Sequence, residues 1–588
     1  MRMARAITVG APSGWRRFGN VALQPRAIVA TIVLVLLGVL VVVPLGLMVL
    51  ASFRPAGVLP LDAGAYTLGN YAEAFTDSDL GTILLNTFIY AAGGVVFAIP
   101  IAFGMAYLTE RTDMPLRDWM YTLMFIPMST PVFATALGWV LLAGPRAGTV
   151  NQWIRLLFGI DTNEGPFNIF SMQGLIFVHV LGVVPSMWLF LTSVLRNMDP
   201  SLEEAASASG ASRWTTLRRV TAPLMAPGLL AIVIYFFISG IESLEHPLAL
   251  GPTAGIETLS TKIFFTLLPT SEQGVNYGLP AAFGMLGLVF GVAGMGTYLW
   301  LMRRSSKYAV VSGKAYRPKT IRLGKWRYVA LGLVGLFIFF KVVLPFSMLL
   351  LASFLKFYVP AVPKSFGTMV WTLDNYARLI DYRFFGRFFI NSIIVSAGAA
   401  FITMLLVTVI SWLVVRFPST LSRFVNVVAF MPLAIPGVIS TLAFFLMFIG
   451  TPIYGTLLLL MLAFTARFLA FGTRLMHSAQ VQIHKELEEA SLVSGIGLAP
   501  TFLWINLRLL LPAFLNGFLW VLVHAAKDFS VALLLATSGT LLIGNVFYGA
   551  FTGGRYPSAA AMMVVLIAFN LVVVMLGRRW ISRTARDH

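Results

Sequence analysis

Apolar residues in this chain fall in about twelve long runs, separated by short polar or basic stretches. Many runs approach the roughly 20 residues that a helix needs to cross the hydrocarbon core of a bilayer. They predict spans at roughly 28–52, 82–108, 119–143, 172–196, 223–247 and 280–302. A second set is predicted at roughly 327–353, 388–415, 424–449, 454–476, 511–536 and 558–578. The expected fold is all-α and integral to the membrane, with about twelve transmembrane helices in two sets of six. The first run, Ile28–Leu50, is too long for a signal-peptide core and no small-residue cleavage site follows it, so a retained span is expected.

Composition agrees with this pattern. Of 588 residues, 58% are apolar and 11% are charged, against about a quarter charged in soluble domains. The formal charge is 42 − 23 = +19. The basic residues sit between apolar runs, which reads as a topology signal and not as a nucleic-acid surface. Arg2, Arg5, Arg16, Arg17 and Arg26 precede the first run, and Arg578, Arg579, Arg583 and Arg586 follow the last. The stretch Arg303–Arg327 carries nine basic residues and no acid. All three clusters are expected on the cytoplasmic side, which six crossings per set allow. Cysteine is absent, which excludes disulfides and thiolate chemistry. The expected organisation is a cytoplasmic segment 1–27, a first repeat 28–302, a basic linker 303–326, a second repeat 327–579 and a tail 580–588.

The two sets repeat one another. Thr67-Leu68-Gly69-Asn70-Tyr71 matches Thr372-Leu373-Asp374-Asn375-Tyr376 at an offset of 305, as Asn86-Thr87 matches Asn391-Ser392 and Phe125-Ile126-Pro127 matches Phe430-Met431-Pro432. Further on, Leu202-Glu203-Glu204-Ala205 matches Leu487-Glu488-Glu489-Ala490 at an offset of 285. The first set therefore holds about 20 extra residues between Gly144 and Ser171. Trp153, Leu156, Leu157 and Phe158 there suggest a short interfacial helix, extracytoplasmic by topology. Six crossings each make the sets parallel repeats about an axis along the membrane normal.

Between the fourth and fifth spans of each set lies a segment with its own chemistry, near 199–222 and 484–511. Ser201 and Glu204 form a capping-box pattern that opens a short helix. Gly210 supplies its turn, and Ser212 opens the next helix. The spacing of Glu204, Ala205, Ala206, Gly210, Val220 and Pro223 resembles the EAA loop of type I ABC importer permeases. The second copy reads Glu489, Ala490, Ser491 and Gly495, with Arg508 in place of Pro223. The resemblance implies that each short helix is a coupling helix docked on a cytoplasmic ATPase. Glu203, Glu204, Ala205, Ala206, Gly210, Glu488, Glu489, Ala490, Ser491 and Gly495 would then be coupling residues. It also implies two ATPase copies, an extracytoplasmic binding protein, alternating access and a place in a bacterial inner membrane with both termini cytoplasmic. ATP and Mg would sit on the ATPases, since Gly313-Lys314-Ala315 is not a phosphate loop. No cofactor and no enzymatic activity are expected of the chain itself.

Ionisable residues inside spans are candidates for the pathway. Glu242, Glu245 and His246 fall within about one helical turn near the outer end of the fifth span, with Glu242 and His246 expected on one face. Lys527 and Asp528 hold the equivalent places in the second set, Lys527 matching Glu242. The competing reading is internal pairing that locks the fold. His179, Arg467 and Lys341 are single residues, expected in packing or as snorkelling ends. A resident metal site is left open, since no paired histidine motif is seen. The stretch Leu259-Ser260-Thr261-Lys262-Ile263-Phe264 resembles the ferric-iron branch of the family. Ferric iron is thus the substrate implied, with polyamine, thiamine, sulfate or aminoethylphosphonate as alternatives. An ion-coupled secondary transporter is the alternative class, distinguished by the need for an ATPase.

Overall fold

Backbone groups in a bilayer must be satisfied within the chain, and apolar runs meet that demand as helices. The structure, a computed structural model, describes residues 25–198, 201–267, 276–305, 320–380, 386–435 and 437–584. Among these, nine helices are long and apolar enough to cross a membrane, or up to eleven if two bent pairs each count as one span. The first half contributes Ala27–Ser52, Leu80–Arg111, Met172–Arg196 and Gly278–Thr297. The second contributes Trp326–Ser353, Arg387–Arg416, Leu457–Gln482, Leu498–Lys527 and Tyr556–Gly577. The bent pairs are Trp214–Ala226 with Gly228–Glu242 (61°), and Thr420–Leu433 with Gly437–Phe448 (108°). The N-terminal segment up to 24, Asp199 and Pro200, most of the basic linker (306–319) and the last four residues lie outside the described residues.

The breaks have local causes. The run at 119–143 is two helices, Met120–Ser129 and Val132–Ala143, parted by Pro131. Proline lacks the donor a continuous helix needs and drives the residue before it to extended backbone, and Thr130 is extended (ψ 126°). The fifth spans also stop short of their expected ends at 247 and 536. One ends at Glu242 and a new helix, Glu245–Ala254, begins beyond an extended Ser243. Pro247 has no N–H to offer Ser243, so the first helix cannot run on. Its counterpart ends at Lys527, and Asp528 caps the following helix Ser530–Leu535 by accepting from the Ser530 N–H at 3.0 Å. Glu242 and His246 therefore lie on separate helices and do not share one helical face, contrary to the expectation from their spacing.

The repeated Asn-Tyr motif closes the end of each first span. Asn70 Nδ2 donates to the carbonyls of Ser52 (3.0 Å) and Arg54 (2.7 Å), and Tyr71 meets the Ser52 hydroxyl at 2.7 Å. Asn375 does the same to Ser353 (3.0 Å) and Leu355 (2.8 Å), and Tyr376 meets Ser353 at 2.7 Å. Terminal carbonyls that no helix turn can satisfy are thus covered twice in the same way.

Within each half the second span packs on the fourth. The first spans cross over: Val43–Ser52 packs on Gly437–Phe448, and Leu344–Ser353 packs on Val132–Ala143. A β-carbon on Gly138 would lie 2.6 Å from Pro345, so the second crossing needs glycine. Each half is therefore clasped by the first span of the other. The extra segment of the first half holds the amphipathic helix Thr149–Phe158, tied to the second half through Trp153 Nε1 donating to the Ala361 carbonyl (2.8 Å). Leu157 and Phe158 on it are exposed.

Candidate functional site

The two segments with the EAA-like spacing are each a short helix followed by a turn. Ser201–Ala208 turns at Gly210, whose φ is +82°. Lys485–Val493 turns at Gly495, at +84°. Both angles lie where a β-carbon is strained. Ser212 then caps the next helix, its hydroxyl accepting from the Thr215 N–H at 3.2 Å.

The first glutamate of each pair points into the chain. Glu203 pairs with Arg111 Nε at 3.1 Å and accepts from the Thr221 hydroxyl at 2.7 Å. Arg111 also donates to the Leu195 carbonyl at 3.0 Å, which ties the ends of the second and fourth spans to the short helix. Glu488 pairs with Arg416, which donates to the Ile483 carbonyl at 2.9 Å. Arg111 and Arg416 are the residues that the sequence reading missed. Both close a second span and are separated by 305, the offset already established for that part of the repeat, so the signal was present.

The remaining motif residues are arranged differently. Ala205 and Gly210 are exposed, as are Glu489, Ala490 and Gly495, while Glu204 and Ala206 are half-buried. Ser491 is buried and bonds the Thr501 hydroxyl at 2.8 Å, tying the second short helix to the turn that follows it. Leu202, Leu487, Leu492 and Val493 leave apolar surface on the same helices. The end of the linker is tied to the first half: Ile321 bridges to Thr112, and the Leu323 N–H donates to the Asp113 carboxylate at 2.8 Å.

The candidate pathway residues lie where the halves meet, and each is engaged. Glu242 accepts from the Gly437 N–H at 2.7 Å, at the start of the helix Gly437–Phe448. Its repeat mate Lys527 donates to the carbonyl of Met128, in the last turn of Met120–Ser129. Equivalent positions thus reach the broken third span of the opposite half. A helix start carries partial positive charge and a helix end partial negative charge, so glutamate and lysine each meet the favourable end. Glu245 accepts from the Phe529 N–H at 2.7 Å, and Asp528 pairs with Arg467 at 2.8 Å. His246 and His179 both face the Tyr90 hydroxyl, at 3.3 and 2.9 Å. Phe133 of the first half stacks on Phe529 (5.3 Å) and meets Phe547 (5.5 Å) of the second at a tilt. Arg467 and His179 are thus bound into the packing.

The segment Leu259–Thr266 is a helix whose Leu259 N–H donates to the Thr87 hydroxyl at 2.9 Å. In the second half the Ile543 N–H donates to Ser392 at 2.9 Å, which fixes Ile543 as the partner of Leu259. Lys262 reaches Asp77 at 2.7 Å. That ammonium, with the Asp79 N–H, holds the Asp77 carboxyl below its usual range.

Comparison with known proteins gives the same architecture. The family described as binding-protein-dependent transport system inner membrane component matches this chain twice, at residues 94–307 and 413–586. The chain is 26% identical to a putative ferric transport system permease protein of Haemophilus influenzae, over 82% of this chain and 74% of the relative. It is also 26% identical to a ferric transport system permease protein of Actinobacillus pleuropneumoniae, over 82% and 69%. A diacetylchitobiose uptake system permease protein of Streptomyces coelicolor is 27% identical over 42% of this chain and 73% of its own length. A match of that extent is what one permease repeat out of two produces.

Proposed function

This chain belongs to the family of binding-protein-dependent transport system inner membrane components, as a fused double repeat of an ABC importer permease, and on that premise we propose that it admits ferric iron. It is a multi-pass transport subunit and not an enzyme, and the family works with an ATPase and a substrate-binding protein, which sets aside the ion-coupled alternative. Support for iron comes from the ferric permeases it resembles over most of both chains.

The observation that carries the mechanism is the doubled tether. Arg111–Glu203 and Arg416–Glu488 fix each short helix from behind. Glu204, Ala205, Gly210, Glu489, Ala490 and Gly495 are then offered toward a partner, with Leu202 and Val493 as apolar contacts. Two ATPase copies, carrying ATP and Mg, dock there, one per helix. That face is cytoplasmic, the basic linker and both termini belong to it, and the binding protein meets the opposite face. When the ATPases close, they push rigid helix–turn units instead of loose loops. The push reaches the fifth spans and frees Glu242 and Lys527 from the opposing third spans, which opens the interface. On this reading the charged residues of the interface hold it shut, and the substrate passes once they part.

The test is uptake of labelled ferric iron, with a labelled polyamine in parallel, in cells lacking this chain and in cells with it restored. ATP-dependent iron uptake that returns only with the chain supports the proposal. Unchanged iron uptake in both strains refutes iron and moves the search to polyamines and oxyanions. Glu204→Lys with Glu489→Lys should abolish uptake while membrane abundance stays normal; full uptake would refute the docking assignment.

A further inference from the structure

The repeat supplies an internal control for a feature that the coupling mechanism does not use. Each first span contains a π-helical turn followed by proline: Gly38–Val42 with Pro44, and Phe339–Val343 with Pro345. The offset is 301, which places Lys341 where the first half has Leu40. Each turn faces the third span of the opposite half across a crevice. In the crevice beside Leu40 the other wall carries Ile435 and Ser440, and the free volume is about 10 Å³. Beside Lys341 the wall carries Thr130 and Thr135, the equivalents of Ile435 and Ser440 at the 305 offset, and the volume is about 200 Å³. Two crevices of the same origin thus differ by a lysine for a leucine, a threonine for an isoleucine, and a cavity.

Lys341 is 2% exposed. It lies fifteen residues from Trp326 and twelve from Ser353, in the middle of its span. The nearer end is about 18 Å away at 1.5 Å per residue, too far for a lysine side chain to snorkel. Of the two places expected for it, packing and a snorkelling end, its burial leaves the first. The ammonium carries three donors, and the structure gives it Thr135 Oγ1 at 2.9 Å. Among the described residues no carboxylate forms an ion pair with it. The charged group that acts on it, Lys527, is of its own sign. A buried cation without a counter-ion is costly, and the usual remedy is a partner of opposite charge.

We propose that the cavity lined by Lys341 and Thr135 binds a small inorganic anion as the counter-ion of Lys341. The cavity accommodates an ion of chloride or sulfate size, and the rest of its lining is apolar (Ile126, Phe346, Leu349). The inference stands apart from the iron proposal, since it concerns this chain's own charge balance.

The test uses the transporter with its ATPase subunits in phosphatidylcholine nanodiscs, in gluconate buffer. Binding of radiolabelled chloride and of radiolabelled sulfate is measured separately by scintillation proximity. Wild type should bind one of them saturably, near one ion per chain. Lys341→Leu copies the residue the first half already uses, so it should fold while losing at least tenfold in affinity. Thr135→Val, which keeps the lysine, should weaken binding by a smaller factor and covers the case in which Lys341→Leu is unstable. Equal binding by wild type and Lys341→Leu would overturn the proposal, as would the lack of saturable binding of either ion to wild type. Selectivity between the two ions sets the charge the site prefers and supports it either way.

Discussion

The tether behind the helix Ser201–Ala208 can be weighed. Arg111 is 3% exposed and Glu203 is 17% exposed. Deleting one member of a buried pair costs about 3–5 kcal/mol, mainly because the other charge is left stranded. Glu203→Ala strands the more deeply buried partner, leaving Arg111 with the Leu195 carbonyl. The exposure of Glu203 places the cost at the low end, about 3 kcal/mol. Borne locally, that raises the population in which the helix Ser201–Ala208 is detached by roughly a hundredfold. Hydrogen exchange of the assembled transporter reads it directly: amides of 201–216 should exchange about a hundredfold faster. The second copy, Lys485–Val493, should keep its wild-type rate and serve as the control. Adding Arg111→Met removes the stranded charge, so the double variant should exchange more slowly than Glu203→Ala alone. Unchanged exchange in 201–216, or an equal rise in both helices, would refute the tether.

Gly210→Val and Gly495→Val place a β-carbon at φ +82° and +84°, a strain of about 1–2 kcal/mol each. Each should reduce uptake per unit of ATP hydrolysed, and normal coupling in both would mean that the turns tolerate side chains. Lys527→Met should raise basal ATPase roughly fivefold, if loss of a charge at a helix end is worth about 1 kcal/mol. The exchange Glu242→Lys with Lys527→Glu should not restore wild type, because these residues bond opposite helix ends and not each other; restored uptake and basal rate would refute that geometry. Asp77→Asn should lower the melting temperature near neutral pH. The Asp77 carboxyl is held low, so its stabilisation is complete above the ordinary carboxylate range and fades as pH falls through the native value. The two melting curves should converge in acid, and a gap that stays constant as pH falls through the native value and below it would refute the ion pair.

Much of this was legible because bilayer thickness and backbone satisfaction leave few choices for a long apolar run. The spans, the repeat and the two EAA segments needed only periodicity and two offsets. The span breaks were less legible. Pro131 and Pro247 mark them in the sequence, yet apolar residues on both sides keep the hydropathy high, so a run was expected where a hinge stands. Partners across the halves were not legible at all. Glu242 bonds a backbone N–H 195 residues away, and a backbone donor leaves no trace in residue type. The Asn-Tyr motif shows the intermediate case: its repetition was visible, while its task of closing the first span required the coordinates.

A fused repeat gains something that two copies of one chain cannot have: the halves can differ at equivalent positions. Sites that must do the same work have kept the same chemistry. Arg111 and Arg416 hold Glu203 and Glu488, and Asn70 and Asn375 cap the same carbonyls. Positions that face the other half have diverged in charge. At 242 and 527 a glutamate takes a helix start and a lysine takes a helix end. At 40 and 341 a leucine faces a closed crevice and a lysine an open one. Because Glu242 and Lys527 differ, each meets the helix end of opposite partial charge. The asymmetry therefore lies along the seam between the halves, at positions whose partners belong to the other half.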